Sequence, residues 1–521
     1  MGYIYIVLGL LSLFFIGYAP LYFLLPGKGG FRVGSRSFSG RAFIFFISFF
    51  IGALMTGWMF TVLSLFDTYF GREIVYGVSA VFFAFYIYNY LSVRFRSGER
   101  KSVSRLDRDI TIAREKSRTG RDKKLQEEGD VLQEKAPGQA PVRKGQDRAS
   151  RILFIVFTVL IVLNFLVVVF LTVIFPIRFW DAISCWSLKG KAFFIDGIIN
   201  NFYTGHQYGF SHPSYPLYLP LIQTWLMTWM GDVNENILKI IFPIFYSSLL
   251  FILYYLFRQR LGKLLSIIFV FLISVLPVIV DHGYIEYTNL LFSVALLLAV
   301  YFLYLSKTMS GKTSYLILSA IFFSITALTR SEGIIYVLLF IVLDLSFFIS
   351  GLLTKYRLSK NLLNLLMPMA VFVIFLVPWY LLKSKLGLPL ISTEWQAFLA
   401  GGASAGAAFD ASRAASAMLL QFVLSLYDST RAVFGSFYGP VWILMLVAMF
   451  FDLKRHFTHY NWIFFIFISL GMATIFTSLA AIADFENSAE RYILHLFPVT
   501  YYWIMTNSMG RGLQEGIDPG R

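Results

Sequence analysis

Apolar runs of about twenty residues recur from one end of this chain to the other, and no other feature constrains its fold so strongly. A hydrocarbon layer roughly 30 Å thick demands that length of a helix, because lipid offers the backbone no hydrogen-bond partners. The runs fall at about 3–25, 43–66, 74–93, 152–176, 235–257, 264–280, 284–306, 314–329, 333–353, 364–385, 433–452, 461–482 and 491–508. The sequence is 58% hydrophobic and only 14% charged, which excludes an ordinary soluble domain. The expected fold is an all-α polytopic membrane protein with about 13 transmembrane helices.

Orientation follows from the basic loops. Lys28, Arg32, Arg36 and Arg41 lie in the first, and the stretch 94–151 is dense in Arg and Lys. Arg258, Arg260 and Lys263, then Lys307 and Lys312, then Lys355, Arg357 and Lys360, and finally Lys454 and Arg455 follow. All fall on one side if the spans alternate, which predicts a multi-pass protein of the cytoplasmic membrane with its N-terminus outside and its C-terminus in the cytoplasm. Topology and anionic lipid therefore account for the formal charge of +15, and no nucleic-acid partner is expected. The single cysteine, Cys185, excludes an internal disulfide and a cysteine metal cage.

The first run lacks a basic leader and a small-residue cleavage site, so it is expected to be a retained helix. The segment 94–151 is polar, with charges of both signs, and reads as a cytoplasmic linker. It divides the chain into an N-terminal accessory bundle of three helices at 1–93, a main module at 152–508 and a cytoplasmic tail at 509–521. The accessory helices could bind a protein partner or simply pack.

The outer segments carry most of the chemically versatile residues. The long loop 177–234 opens with "RFWDAISCWSLKGKAFF" and contains aromatic, apolar stretches too short to span, suited to helices lying at the head-group plane. Asp181 stands about one turn beyond a spanning helix, where it can cap that helix, face solvent or serve a site. "DHGYIEY" places Asp281, His282 and Glu286 within two helical turns, able to hold a divalent ion, orient an acceptor or cap the next helix. Arg330 in "TALTRSEG" either pairs locally with Glu332 or faces a cavity. The Gly-, Ala- and Ser-rich loop 386–432 suits a spacer or a lid.

Taken in order, Asp181, "SHPSYPLYLPLIQTWL", "DHGYIEYTNLLFSVALLL", "TALTRSEGIIYVLLF" and "ERYILHLFPV" resemble the polytopic glycosyltransferases of the C superfamily, in particular the family 39-like branch of protein mannosyltransferases and aminoarabinose transferases. The resemblance covers roughly 152–508. Many relatives carry Asp-Glu where this chain has Asp181-Ala182, and residues 1–151 lie outside the pattern.

The resemblance implies a polyprenyl-phosphate sugar donor drawn from the membrane, an extracytoplasmic acceptor (glycan, lipid or protein) and Asp181 as general base. A carboxylate that takes the proton of an acceptor hydroxyl assists its attack on the anomeric carbon, and direct displacement inverts that centre. A phosphate leaving group needs no acid but does need cations, for which Arg178, Lys189, Lys191, Arg330 and Arg491 are the candidates. Lys189 and Lys191 could instead snorkel to lipid phosphates. Asp281, His282, Glu286 and His212 are expected to contact acceptor or sugar. No metal ligand set is legible, although the acid cluster leaves a divalent ion open. The rival readings are a lipid-sugar flippase or transporter and a cell-envelope scaffold that has lost activity; sparse intramembrane charge, Asp344 being a main exception, and the absence of a convincing repeat argue against the transporter.

Overall fold

The computed structural model describes residues 2–24, 38–91, 144–204, 210–309, 312–353, 358–391, 460–481 and 486–509, with a few positions in 445–450. Among these the regular elements are all helical. The expected span at 433–452 and the loop 392–432 lie largely outside the described residues, as does the linker 94–143. The N-terminal helices are α1 (Gly2–Leu24), α2 (Phe38–Leu65) and α3 (Arg72–Leu91), and the module begins with α4 (Lys144–Ile174). Eight helices among the described residues are long and apolar enough to span a membrane, and three apolar helices are shorter. The all-α polytopic fold expected is the one found, while the count of thirteen rests in part on the span at 433–452, outside the described residues.

The outer loop folds into a seven-residue π-helical turn, Asp181–Ser187, continued by α5 (Leu188–Asp196), α6 (Asn200–Thr204) and α7 (Tyr218–Met230). After α8 (Glu235–Leu238) come α9 (Ile241–Arg258), α10 (Lys263–Ser274) and α11 (Pro277–Asp281). The run expected at 264–280 is thus broken at Val275 and Leu276, because Pro277 opens a new helix more readily than it extends one. The remaining helices are α12 (Asn289–Thr308), α13 (Lys312–Thr329), α14 (Gly333–Leu353), α15 (Leu358–Lys385), α16 (Trp462–Ala481) and α17 (Glu486–Ile504).

Helix α12 is the axis of the bundle, buried from Asn289 to Ser306 between α13, α17 and α9. Helix α4, by contrast, presents Ile155, Val159, Leu163, Leu166 and Phe170 outwards, as a lipid-facing helix must.

The N-terminal helices are built into this module. Helices α1 and α2 approach until a Cβ placed on Gly17 would stand 1.8 Å from the Ser48 carbonyl oxygen, and one on Gly52 1.8 Å from that of Leu13. Small residues permit such backbone contact where lipid supplies no hydrophobic drive. Together they cover α7: the Trp225 indole N–H donates to Ser12 Oγ at 3.0 Å and the Tyr218 hydroxyl to the Phe50 carbonyl at 2.7 Å. Helix α7 is consequently buried along most of its length beneath α1 and α2. On the far side of α2, the Trp58 indole N–H donates to the Ile374 carbonyl of α15 at 2.7 Å.

Candidate active site

The sequence-distant residues Asp181, Arg330 and Arg491 converge at one end of the bundle. Asp181 opens the π-helical turn, and its Oδ2 accepts from Arg491 Nη1 at 3.0 Å across 310 positions of sequence. Arg491 sits in the second turn of α17, its guanidinium 5.0 Å from the Tyr287 ring centroid. The Asp181 side chain stays 40% exposed, so the pairing leaves it reachable. Cys185, one turn on, is buried against Ser184, and burial pushes its thiol up.

Arg330 leaves the C-terminus of α13 and pairs with Glu332 at 3.1 Å, the local partner that the sequence allowed. It also donates through Nη1 to Asn289 Oδ1 at 2.8 Å and lies 5.0 Å from the Tyr492 ring centroid. Asn289 joins three elements. Its oxygen accepts from both Arg330 and His495 Nε2, the latter at 3.2 Å, and its amide nitrogen donates to His282 Nε2 at 3.1 Å. His282 Nδ1 then donates to the Val278 carbonyl at 2.8 Å, which fixes the neutral tautomer. Burial pushes His282 down to about 4. Both its nitrogens are thus engaged inside the protein.

The other two acids of that segment lie apart from this network. Asp281 accepts from the Tyr284 hydroxyl at 3.0 Å, and burial pushes its carboxyl up. Glu286 is buried with Oε1 lacking a hydrogen-bond partner among the described residues, and burial raises it to about 7 against the pull of nearby Lys239. Lys239 donates to the Phe175 carbonyl. Arg178 is exposed and lies 3.6 Å from the Phe175 ring centroid. Lys191 forms an ion pair with Glu235.

Lys189 is fully buried. Its Nζ donates to the His212 carbonyl at 2.8 Å and stands 6.0 Å from the Tyr215 ring centroid. His212 holds a left-handed backbone, φ 49°, and stacks on Tyr215 at 4.7 Å. Burial, with Lys383 adding to it, pushes Lys189 down to about 7. Lys383, in the last turn of α15, is itself buried, donates to the Leu390 carbonyl at 3.3 Å and lies 5.1 Å from the Trp379 ring centroid.

Asn289, His495 and Lys383 were not singled out from the sequence. His495 stands four residues beyond Arg491, on the same face of α17, a spacing that could have exposed it. Among the described residues no three His, Cys, Asp or Glu side chains group closely enough for a metal ion.

Residues 212–381 match a family model described as dolichyl-phosphate-mannose-protein mannosyltransferase. That match, over about a third of the chain, supports a glycosyltransferase of the C superfamily. No curated protein and no solved structure matches the chain. The matched segment runs from the His212 turn into α15 and so contains Asn289 and Arg330; Asp181 lies upstream of it and Arg491 downstream. The contacts described above thus join residues of the matched segment, Asn289 and Arg330, to residues on either side of it, Asp181 and Arg491.

Proposed function

We propose that this glycosyltransferase moves a sugar from a polyprenyl-phosphate-linked donor to an acceptor outside the cytoplasmic membrane, in one inverting displacement. Asp181 takes the proton of an acceptor hydroxyl as its oxygen bonds to the anomeric carbon. The bond from that carbon to the phosphate oxygen breaks, and the phosphate leaves with the electron pair. No acid is required for that departure, so a single carboxylate suffices. The observation that carries the reading is the half-open ion pair: Arg491 orients the Asp181 carboxylate while leaving it accessible. The distribution of basic loops supports the extracytoplasmic side for this end of the bundle.

The test is transfer of radiolabelled sugar from a panel of polyprenyl-phosphate sugars, in membranes carrying wild type or Asp181→Asn at equal expression. The expected outcome is a loss of roughly 10² to 10⁴ in rate with donor binding retained. No transfer from any donor, with movement of donor across the bilayer that ignores the substitution, would overturn the reading in favour of a flippase.

A further inference from the structure

Asn289 opens α12, the buried axis of the bundle, and its side-chain amide meets three other side chains, each from a different element. Oδ1 lies 2.8 Å from Arg330 Nη1 and 3.2 Å from His495 Nε2, and Nδ2 lies 3.1 Å from His282 Nε2. Asn289, His495 and His282 are 2%, 3% and 4% exposed, so these groups must satisfy one another without bulk water.

A guanidinium carries only N–H donors. The atom that faces Arg330 must therefore be the amide oxygen, because the amide turned over would set its NH2 against the arginine. That orientation propagates. The NH2 faces His282 Nε2, which must be bare, and the His282 proton sits on Nδ1, where the Val278 carbonyl accepts it at 2.8 Å. His495 Nε2 approaches the same oxygen as Arg330 and must carry a proton; buried one turn from Arg491, the ring holds no second one. The donor-only character of a single arginine thus holds two histidines of one network in opposite neutral tautomers.

Arg330 needs this anchor. Its Nε and Nη2 donate to Glu332 at 3.4 and 3.1 Å, but Glu332 stands only two residues on in the same turn, so the pair moves as one body. Asn289, 41 positions away, fixes Arg330 against α12. Through His495 it fixes Arg330 against α17 as well, where Arg491, one turn earlier, holds Asp181. We propose that Asn289 is a positioning residue, which registers Arg330 against the Asp181–Arg491 pair and acts only while His282 and His495 keep opposite tautomers. It touches no reactant itself. Its consequence for catalysis rests on the transferase reading above, whereas the tautomer lock does not.

The test is solid-state NMR of the full-length protein in lipid at pH 7, with 15N-labelled histidine; spectra of His282→Phe and His495→Phe identify the two rings among the six in the chain. The expected result is a proton on Nδ1 alone in His282 and on Nε2 alone in His495. The same tautomer in both, or a doubly protonated ring in either, overturns the proposal. In transfer assays Asn289→Leu is expected to lower kcat about tenfold or more with KM within about threefold of wild type. Asn289→Asp, which keeps an oxygen for Arg330, should recover most of that loss. Added to Arg330→Gln, Asn289→Leu should cost little more. Equal losses in the Leu and Asp variants, or additive losses in the double variant, overturn the positioning role. Should no form transfer sugar, the transferase reading fails by itself, and the wild-type tautomers still decide the lock. Transfer by wild type with equal tautomers sinks this inference by itself.

Discussion

Asp181 and Arg491 meet at 3.0 Å although 310 residues separate them. If Arg491 acts by holding the carboxylate in place, removing either partner should damage the same step. Arg491→Gln is expected to lower single-turnover transfer by about 10²-fold, and the double variant with Asp181→Asn should be little worse than Asp181→Asn alone. Fully additive losses would show that Arg491 acts independently of Asp181.

Burial of Lys189 predicts a pH dependence for the binding of any phosphate that it meets. The groups facing it are Lys383, Cys185, the Tyr215 ring and the His212 carbonyl. Held at about 7 when free, it must gain a proton when phosphate binds at higher pH. Affinity for farnesyl phosphate should therefore be level just below pH 7 and fall by up to about tenfold per unit above it, until the raised pKa of the complex is passed. The phosphate's own second ionisation near 6 bounds that window from below. Calorimetry from pH 6.5 to 9 reads the slope, and a flat wild-type profile would show that Lys189 does not meet the phosphate.

Glu286 predicts a stability effect of the opposite sense to an ordinary salt-bridged acid. Its folded pKa, about 7, lies above the usual carboxylate value because of burial, with Lys239, Glu235 and Arg178 as the charged groups around it. The folded state therefore binds the proton more tightly, and stability declines as pH rises from about 4.5 to 7, then levels off. Glu286→Gln should be more stable than wild type at pH 8, by up to about 3 kcal/mol, and equal to it near pH 4.5. Thermal unfolding in detergent at both values checks the sign.

Gly17 tests the seam between α1 and α2. Its absent Cβ would fall 1.8 Å from backbone oxygen, which no rotamer change can relieve. Gly17→Ala is expected to cost about 1–3 kcal/mol, read as a lower melting temperature, whereas Gly77→Ala, with open space around it, should cost far less. Equal melting of the two variants would mean that α1 is not seated against α2.

Much of this architecture was legible because lipid imposes one length and one hydrogen-bonding solution on every spanning segment. The apolar runs located the helices, although several begin about five to eight residues earlier than the runs and the run at 264–280 breaks in two, and motif order singled out Asp181, Arg330 and Arg491. What escaped was three-dimensional accounting of charge. Arg330 and Lys189 look alike as isolated bases in outer loops, yet one is matched by Glu332 and the other has no carboxylate partner among the described residues. Lys383 was hidden at the end of an ordinary apolar helix, and Asn289 carried no motif. Only the meeting of α11, α12, α13 and α17 reveals that its amide joins Arg330 to two histidines.

The hydrogen bond from Trp58 to Ile374 has a consequence for how the protein is made. Its partners are 316 residues apart, so at 5–20 residues per second α2 waits roughly 15–60 s for α15 to leave the ribosome. During that interval the α1–α2 hairpin sits in the bilayer with Ser12 still lacking Trp225 and the indole of Trp58 lacking its acceptor. The N-terminal hairpin thus lies in the membrane well before the residues that complete its contacts are made.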